Sequence, residues 1–163
     1  MPIRFLTETA LLGALITITG AIKLPGLLPG TEFQLSAPLA VAICAAFGFK
    51  KYIIAGVLSS AVGLLLGTQT LFNVYVAMIF RLVVGGVLAC GGTSWFMVLL
   101  AGPLGSAAAR LSLALFLGQA AWPLLAAALP GMVYTAIAAW PLTQLLRRVR
   151  SQCERSVRHA FQR

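Results

Sequence analysis

Few side chains in this chain of 163 residues can move a proton, attack a carbonyl or hold a metal. The acids are Glu8, Glu32 and Glu154, and the one histidine, His159, lies in a basic C-terminal tail. Cys44, Cys90 and Cys153 are far apart and form no CxxC, so neither a disulfide framework nor a zinc site is indicated. There is no P-loop, no HExxH and no carboxylate cluster, and Ser59-Ser60 has no basic partner at a recognisable spacing. The expectation is a protein that is not an enzyme, has no metal site and no cofactor of its own, and hydrolyses no ATP. What stands out instead is arginine inside apolar sequence: Arg81 in Val74-Tyr75-Val76-Ala77-Met78-Ile79-Phe80-Arg81-Leu82, and Arg110 further on. A guanidinium at mid-bilayer depth costs at least about 2.5 kcal/mol, so it must face a partner, water or a ligand. Arg81 is expected either to meet Glu8 or a backbone carbonyl, or to attract an anionic substrate. Arg110 is expected to snorkel inward from the fifth helix. Lys23, Gln34, Ser36, Thr68, Gln69, Thr70 and Asn73 cluster at the ends of apolar runs, where they can line a shallow, outward-facing cavity.

The elements that must position these groups follow from composition. Sixty per cent of the residues are hydrophobic and only 9% charged, against about 25% charged in a soluble domain. That excludes an ordinary soluble globule and a disordered chain. It also sets aside the nucleic-acid reading that a net charge of +9 invites. The apolar runs are continuous, not alternating, so a β-barrel is excluded too. The fold class expected is an all-α integral membrane protein, a bundle of six transmembrane helices at 5–22, 33–49, 52–67, 71–90, 96–119 and 124–146. The second and third are short and open to a re-entrant reading. Gly102-Pro103 is expected to kink the fifth or delay its start, and Pro130-Gly131 is a candidate break in the sixth. The first run has no convincing cleavage site and is read as a helix, not a signal peptide.

Charge placement sets the orientation. Six spans put Arg4, Lys50, Lys51, Arg147, Arg148, Arg150, Arg155, Arg158 and Arg163 on one side, and on the other only Lys23 beside Glu32. The positive-inside rule then predicts both termini in the cytoplasm (N-in, C-in), in the plasma membrane. Residues 1–146 form the membrane domain. Residues 147–163 form a basic amphipathic tail, with Leu146, Val149, Cys153, Val157, Ala160 and Phe161 as an apolar stripe suited to the bilayer interface.

Small residues mark close helix approaches. Ala10-Leu11-Leu12-Gly13-Ala14 is an AxxxA beside the polar Thr7, Glu8 and Thr9, suited to docking an external partner. Ala55, Ser59, Gly63 and Gly67 form a stripe on the third helix, expected to pack within the bundle. The first loop carries Pro25-Gly26 and Pro29-Gly30 among Leu24, Leu27 and Leu28; it is turn-rich and apolar enough to cover a cavity.

With these residues in view the chain resembles the substrate-binding S components of energy-coupling factor transporters. The likeness rests on size, six helices, the AxxxA in the first helix, the Lys23-Leu24-Pro25 start of the first loop, and Phe33-Gln34-Leu35-Ser36-Ala37-Pro38 leading into a short second helix. It implies capture of a vitamin-like small molecule in the outer half of the bundle. It also implies docking through Ala10, Gly13 and Ala14 to a transmembrane coupling subunit, with ATP used by two partner ATPase subunits. Lys23, Gln34, Asn73 and Arg81 are the expected substrate contacts; only Lys23 lies in a stretch that carries the likeness, and the other three rest on polarity and depth. The alternative is a small six-span scaffold similar to a subunit of the rod-shape elongation machinery, which binds protein partners and no solute.

Overall fold

A computed structural model describes residues 3–25, 32–118 and 120–161, with the side chains of 23–25, 32–34 and 156–161 outside that description. Six helices follow one another: α1 (Ile3–Ala21), α2 (Ser36–Phe47), α3 (Phe49–Leu65), α4 (Leu71–Gly91), α5 (Trp95–Leu117) and α6 (Ala121–Phe161). Four of them are long and apolar enough to cross a membrane: α1, α4, α5 and the 121–155 stretch of α6. Leu, Ile and Phe side chains stand exposed along them, Ile137 at 70% and Leu115 at 84%. That surface suits lipid and not water, so the protein is a membrane-spanning helical bundle.

The second helix departs from the expected span at 33–49. Phe33 and Gln34 belong to a short strand, β2 (Glu32–Gln34), paired antiparallel with β1 (Lys23–Pro25) so that Lys23 stands opposite Gln34. The helix that follows has 12 residues and at 1.5 Å per residue is about 18 Å long, well short of the roughly 30 Å hydrocarbon core. Its Pro38–Ala46 stretch is buried throughout, and it touches all five other helices. It is the central core helix, and its run of alanines lets the longer helices close around it.

The late start expected for the fifth helix and the candidate break in the sixth are both absent. α5 runs unbroken through Pro103 from Trp95 onward, and α6 runs through Pro130 and Pro141. The basic residues gather at one end. Arg150 Nη1 donates to the Ala46 carbonyl at 2.6 Å, Arg147 Nη2 to the Thr93 carbonyl at 3.2 Å, and Lys51 pairs with Glu8. Glu154 meets Arg150 at 3.1 Å and Arg4 at 3.7 Å. The start of α1, the α2–α3 junction, the α4–α5 loop and the middle of α6 are thereby tied together. The first turns of the tail are fastened to the bundle through helix-end carbonyls, and Arg150 also lies 5.8 Å over the Phe47 ring.

α1 and α3 pair closely. Gly13 faces α3, where an added Cβ would lie 3.2 Å from Leu58 and 3.3 Å from the Ala55 carbonyl. The Thr17 and Ser59 hydroxyls hydrogen-bond at 3.0 Å across the same seam. Ala55, Ser59 and Gly63 are all buried, so most of the third-helix stripe packs inside the bundle as expected.

Candidate functional site

At the end opposite the basic cluster a cavity of about 390 Å³ opens between helices. It is walled by the first turns of α2, the N-terminal half of α4, the C-terminal half of α5 and the N-terminal part of α6, with Ile16 from α1. Most of the wall is apolar: Ala37, Ala40, Phe72, Val76, Ala77, Phe80, Ala109, Leu113 and Leu124. Into it converge Ser36, Asn73, Arg81, Ser106, Arg110, Tyr134 and Thr135. An apolar chamber with a few polar groups is the usual chemistry of a small-molecule site.

Arg81 is the deepest charge. It is 5% exposed, and stands ten residues below the start of α4, a depth of about 15 Å at 1.5 Å per residue. Its Nη1 donates to Ser60 Oγ at 2.8 Å and lies 3.8 Å from Met78 Sδ. A guanidinium has five N–H donors in a rigid fork, and among the described residues no carboxylate or carbonyl accepts from this one. The expected Glu8 contact does not form. Glu8 is held at the other end of the bundle by Lys51 and by Arg4, whose Nε lies 2.8 Å from it. Arg81 keeps its place because α3 has glycine opposite it: a Cβ at Gly56 would overlap the Arg81 Nε and Cδ. A buried cation with spare donors and no counter-ion is a strong attractor for an anion, above all a carboxylate.

Arg110 lines the same cavity, seven residues below the end of α5. The inward direction expected for its side chain is compatible with this position on the cavity wall. The argument made for Arg81, a cation inside a span, applies equally to Arg110 and was the signal that could have found it. Ser106, Tyr134 and Thr135 are the other polar wall residues that sequence left out; nothing in their spacing marks them, because they are joined only by the crossing of α5 and α6. Thr135 donates to the Gly131 carbonyl at 2.7 Å, which satisfies its hydroxyl within α6.

The expected contacts divide. Asn73 and Arg81 come together on the cavity wall, eight residues apart on α4. Lys23 and Gln34 face each other in backbone register on the hairpin, with side chains outside the described residues, as is the loop 26–31. Of the other polar residues at this end, Thr70 caps α4 by accepting from the Asn73 amide at 3.3 Å. Thr68 donates to the Gly63 carbonyl at 3.1 Å, and Gln69 packs over Gly63. These three build the α3–α4 turn and do not line the cavity.

On the outside of the α1–α3 pair lies a second, shallower groove of about 300 Å³, lined by Ala10, Gly13, Ala14, Thr17, Ile18, Leu58 and Val62. Ala10 and Ala14 are exposed on it, whereas Gly13 is buried against α3. Among the described residues no group of three or more His, Cys, Asp or Glu side chains is placed to hold a metal ion.

No family model matches the chain, and no solved structure does. Among curated proteins it is similar to Protein BioX of Lysinibacillus sphaericus, 48% identical over 141 residues, spanning 86% of this chain and 85% of that one. Identity at that level across nearly the whole of both chains establishes common descent, and this membrane-spanning protein belongs to the BioX family.

Proposed function

We propose that the chain is the substrate-capture subunit of a micronutrient uptake system, an S component that binds a small vitamin-like carboxylate and hands it to partner subunits. The observation that carries the reading is Arg81, buried, without a counter-ion among the described residues, on the wall of a cavity of about 390 Å³. A scaffold that binds only proteins has no use for such a charge in a chamber, since a buried, unpaired cation costs several kcal/mol. The relationship to Protein BioX directs the search to biotin and biotin-related carboxylates.

In this reading the helices run alternately between the two leaflets six times, with the basic end in the cytoplasm and the cavity facing outward. α2 is shielded by the other helices, which lets it be shorter than a lone span, while the 17-residue α3 buries one face and exposes Ile54, Val57, Leu58 and Leu65 on the other. The solute enters from outside, its apolar part against Phe72, Phe80 and Leu113 and its carboxylate on the free donors of Arg81. The groove at Ala10 and Ala14 receives a helix of a transmembrane coupling subunit, because only small side chains permit so close an approach. Energy comes from two ATPase subunits. The test is native mass spectrometry of the purified chain, followed by titration with labelled biotin and related carboxylates. A co-purifying or titratable small carboxylate supports capture; a chain that binds none but retains stable protein partners supports the scaffold.

A further inference from the structure

The cavity holds two cations, not one. Arg81 enters it from α4 and Arg110 from the neighbouring α5. Their depths differ: about 15 Å below the cavity end of α4 and about 10 Å below that of α5, at 1.5 Å per residue. Packed helix axes stand roughly 8–10 Å apart, so the two side chains rise from separate points of the wall. The wall they share carries the apolar Val76, Ala77, Phe80, Ala109 and Leu113 together with the neutral polar Ser106, Tyr134 and Thr135. Among the described residues no acidic side chain lines the chamber. Glu8 and Glu154 are engaged by Arg4, Lys51 and Arg150 at the opposite end, and the remaining acid of the chain, Glu32, stands on β2.

A single carboxylate answers only one of these two charges and leaves the other without a counter-ion among the described residues. From this arrangement we infer that the substrate is a two-ended dianion, a dicarboxylate whose acid groups are separated by an apolar segment, one end on Arg81 and the other on Arg110. This deepens the capture function and rests on it. It narrows the substrate class from vitamin-like carboxylates to linear diacids, or to vitamin precursors that carry two acid groups.

The test is a titration of the purified chain in lipid nanodiscs with the unbranched dicarboxylates of four to nine carbons. Monocarboxylates of matched length, biotin and hexylphosphonate are titrated beside them. The expected result is one preferred diacid length, bound at least tenfold more tightly than its matched monoacid. Arg110→Gln should cut diacid affinity at least tenfold and bring the diacid-to-monoacid ratio toward one, with Arg110→Lys retaining part of that ratio. Glu32→Gln should leave the ratio above tenfold. Equal affinity for diacid and monoacid, or tighter binding of biotin, overturns the inference while leaving carboxylate capture intact. So does hexylphosphonate binding as tightly as the best diacid, which means that the two arginines converge on one group. A ratio created only by Glu32→Gln also overturns it, because Glu32 is then the partner of one arginine. If no carboxylate or phosphonate binds at all, the capture function itself fails and this inference with it.

Discussion

Replacing Arg81 by alanine should weaken binding of the anionic solute without weakening the bundle. The guanidinium makes one good hydrogen bond to a protein group, Ser60 Oγ at 2.8 Å, and has no counter-ion among the described residues. Among the described residues its loss strands no carboxylate, since Glu8 stays paired with Lys51 and Arg4. On the cost side stands the Ser60 hydroxyl left without its partner, about 1–3 kcal/mol, together with the lost packing of the arginine stem. Against it stands the desolvation of a charge that is 5% exposed, several kcal/mol in an apolar interior. The two roughly cancel, so the melting temperature, followed by the fluorescence of the three tryptophans, should hold or rise. Ligand affinity responds differently. A charge-assisted hydrogen bond contributes about 1.5–3 kcal/mol, and about 1.4 kcal/mol is tenfold in Kd, so affinity should fall by roughly 10- to 150-fold. A double-mutant cycle with Gly56 isolates the geometry. Gly56→Ala puts a Cβ where the Arg81 Nε and Cδ lie, so alone it should displace the guanidinium and reduce affinity. Added to Arg81→Ala it should have no further effect on binding and should restore some helix stability, about 0.5–1 kcal/mol, because alanine is the better helix former. Two results would refute the reasoning: an Arg81→Ala protein that melts well below the parent with affinity intact, or Gly56→Ala and Arg81→Ala acting additively on binding.

Ala10→Trp and Ala14→Trp should each prevent co-purification with a coupling subunit while leaving the melting temperature and ligand affinity near the parent values, because both residues are exposed on the groove. Gly13→Val should instead destabilise the bundle by about 1–3 kcal/mol, since its Cβ already meets Leu58 at 3.2 Å and the Ala55 carbonyl at 3.3 Å; a thermal melt tells the two positions apart. Arg150→Ala removes a 2.6 Å bond to the Ala46 carbonyl and the contact with Phe47. With the side chain 43% exposed, solvent screening holds the loss to about 0.5–1.5 kcal/mol, seen as a lower melting temperature and no change in ligand Kd. Truncation after Arg150 keeps the bonds of Arg147 and Arg150 to the bundle and removes the ion pairs of Glu154 with Arg4 and Arg150, far from the cavity. Substrate affinity measured by calorimetry should therefore be unchanged, and a loss would mean that the tail reaches the cavity.

Sequence alone determined the membrane class and the number of helices, and it singled out Arg81 as the charge that had to be explained. Long apolar runs have few physical solutions other than helices, and the scarcity of acids left arginine as the conspicuous polar group in them. Depth and polarity alone pick out Arg81 and Asn73, and both line the cavity from α4. The tertiary structure decided what depends on crossings between helices. Hydropathy treats every apolar run alike, so it could not tell that α2 is a 12-residue core helix with Phe33 and Gln34 in a strand before it. The spans read at 96–119 and 124–146 leave a late start at Pro103 and a break at Pro130 open, and the structure carries both helices through those prolines. The choice between Glu8 and a cavity for Arg81 was open in sequence, because depth is compatible with both; it closed when Lys51 and Arg4 were seen to hold Glu8 at the other end of the bundle. Arg110, Ser106, Tyr134 and Thr135 joined the cavity only through the packing of α5 against α4 and α6. Periodicity fixes a residue's face on its own helix, but which helix stands opposite that face is a property of the folded bundle.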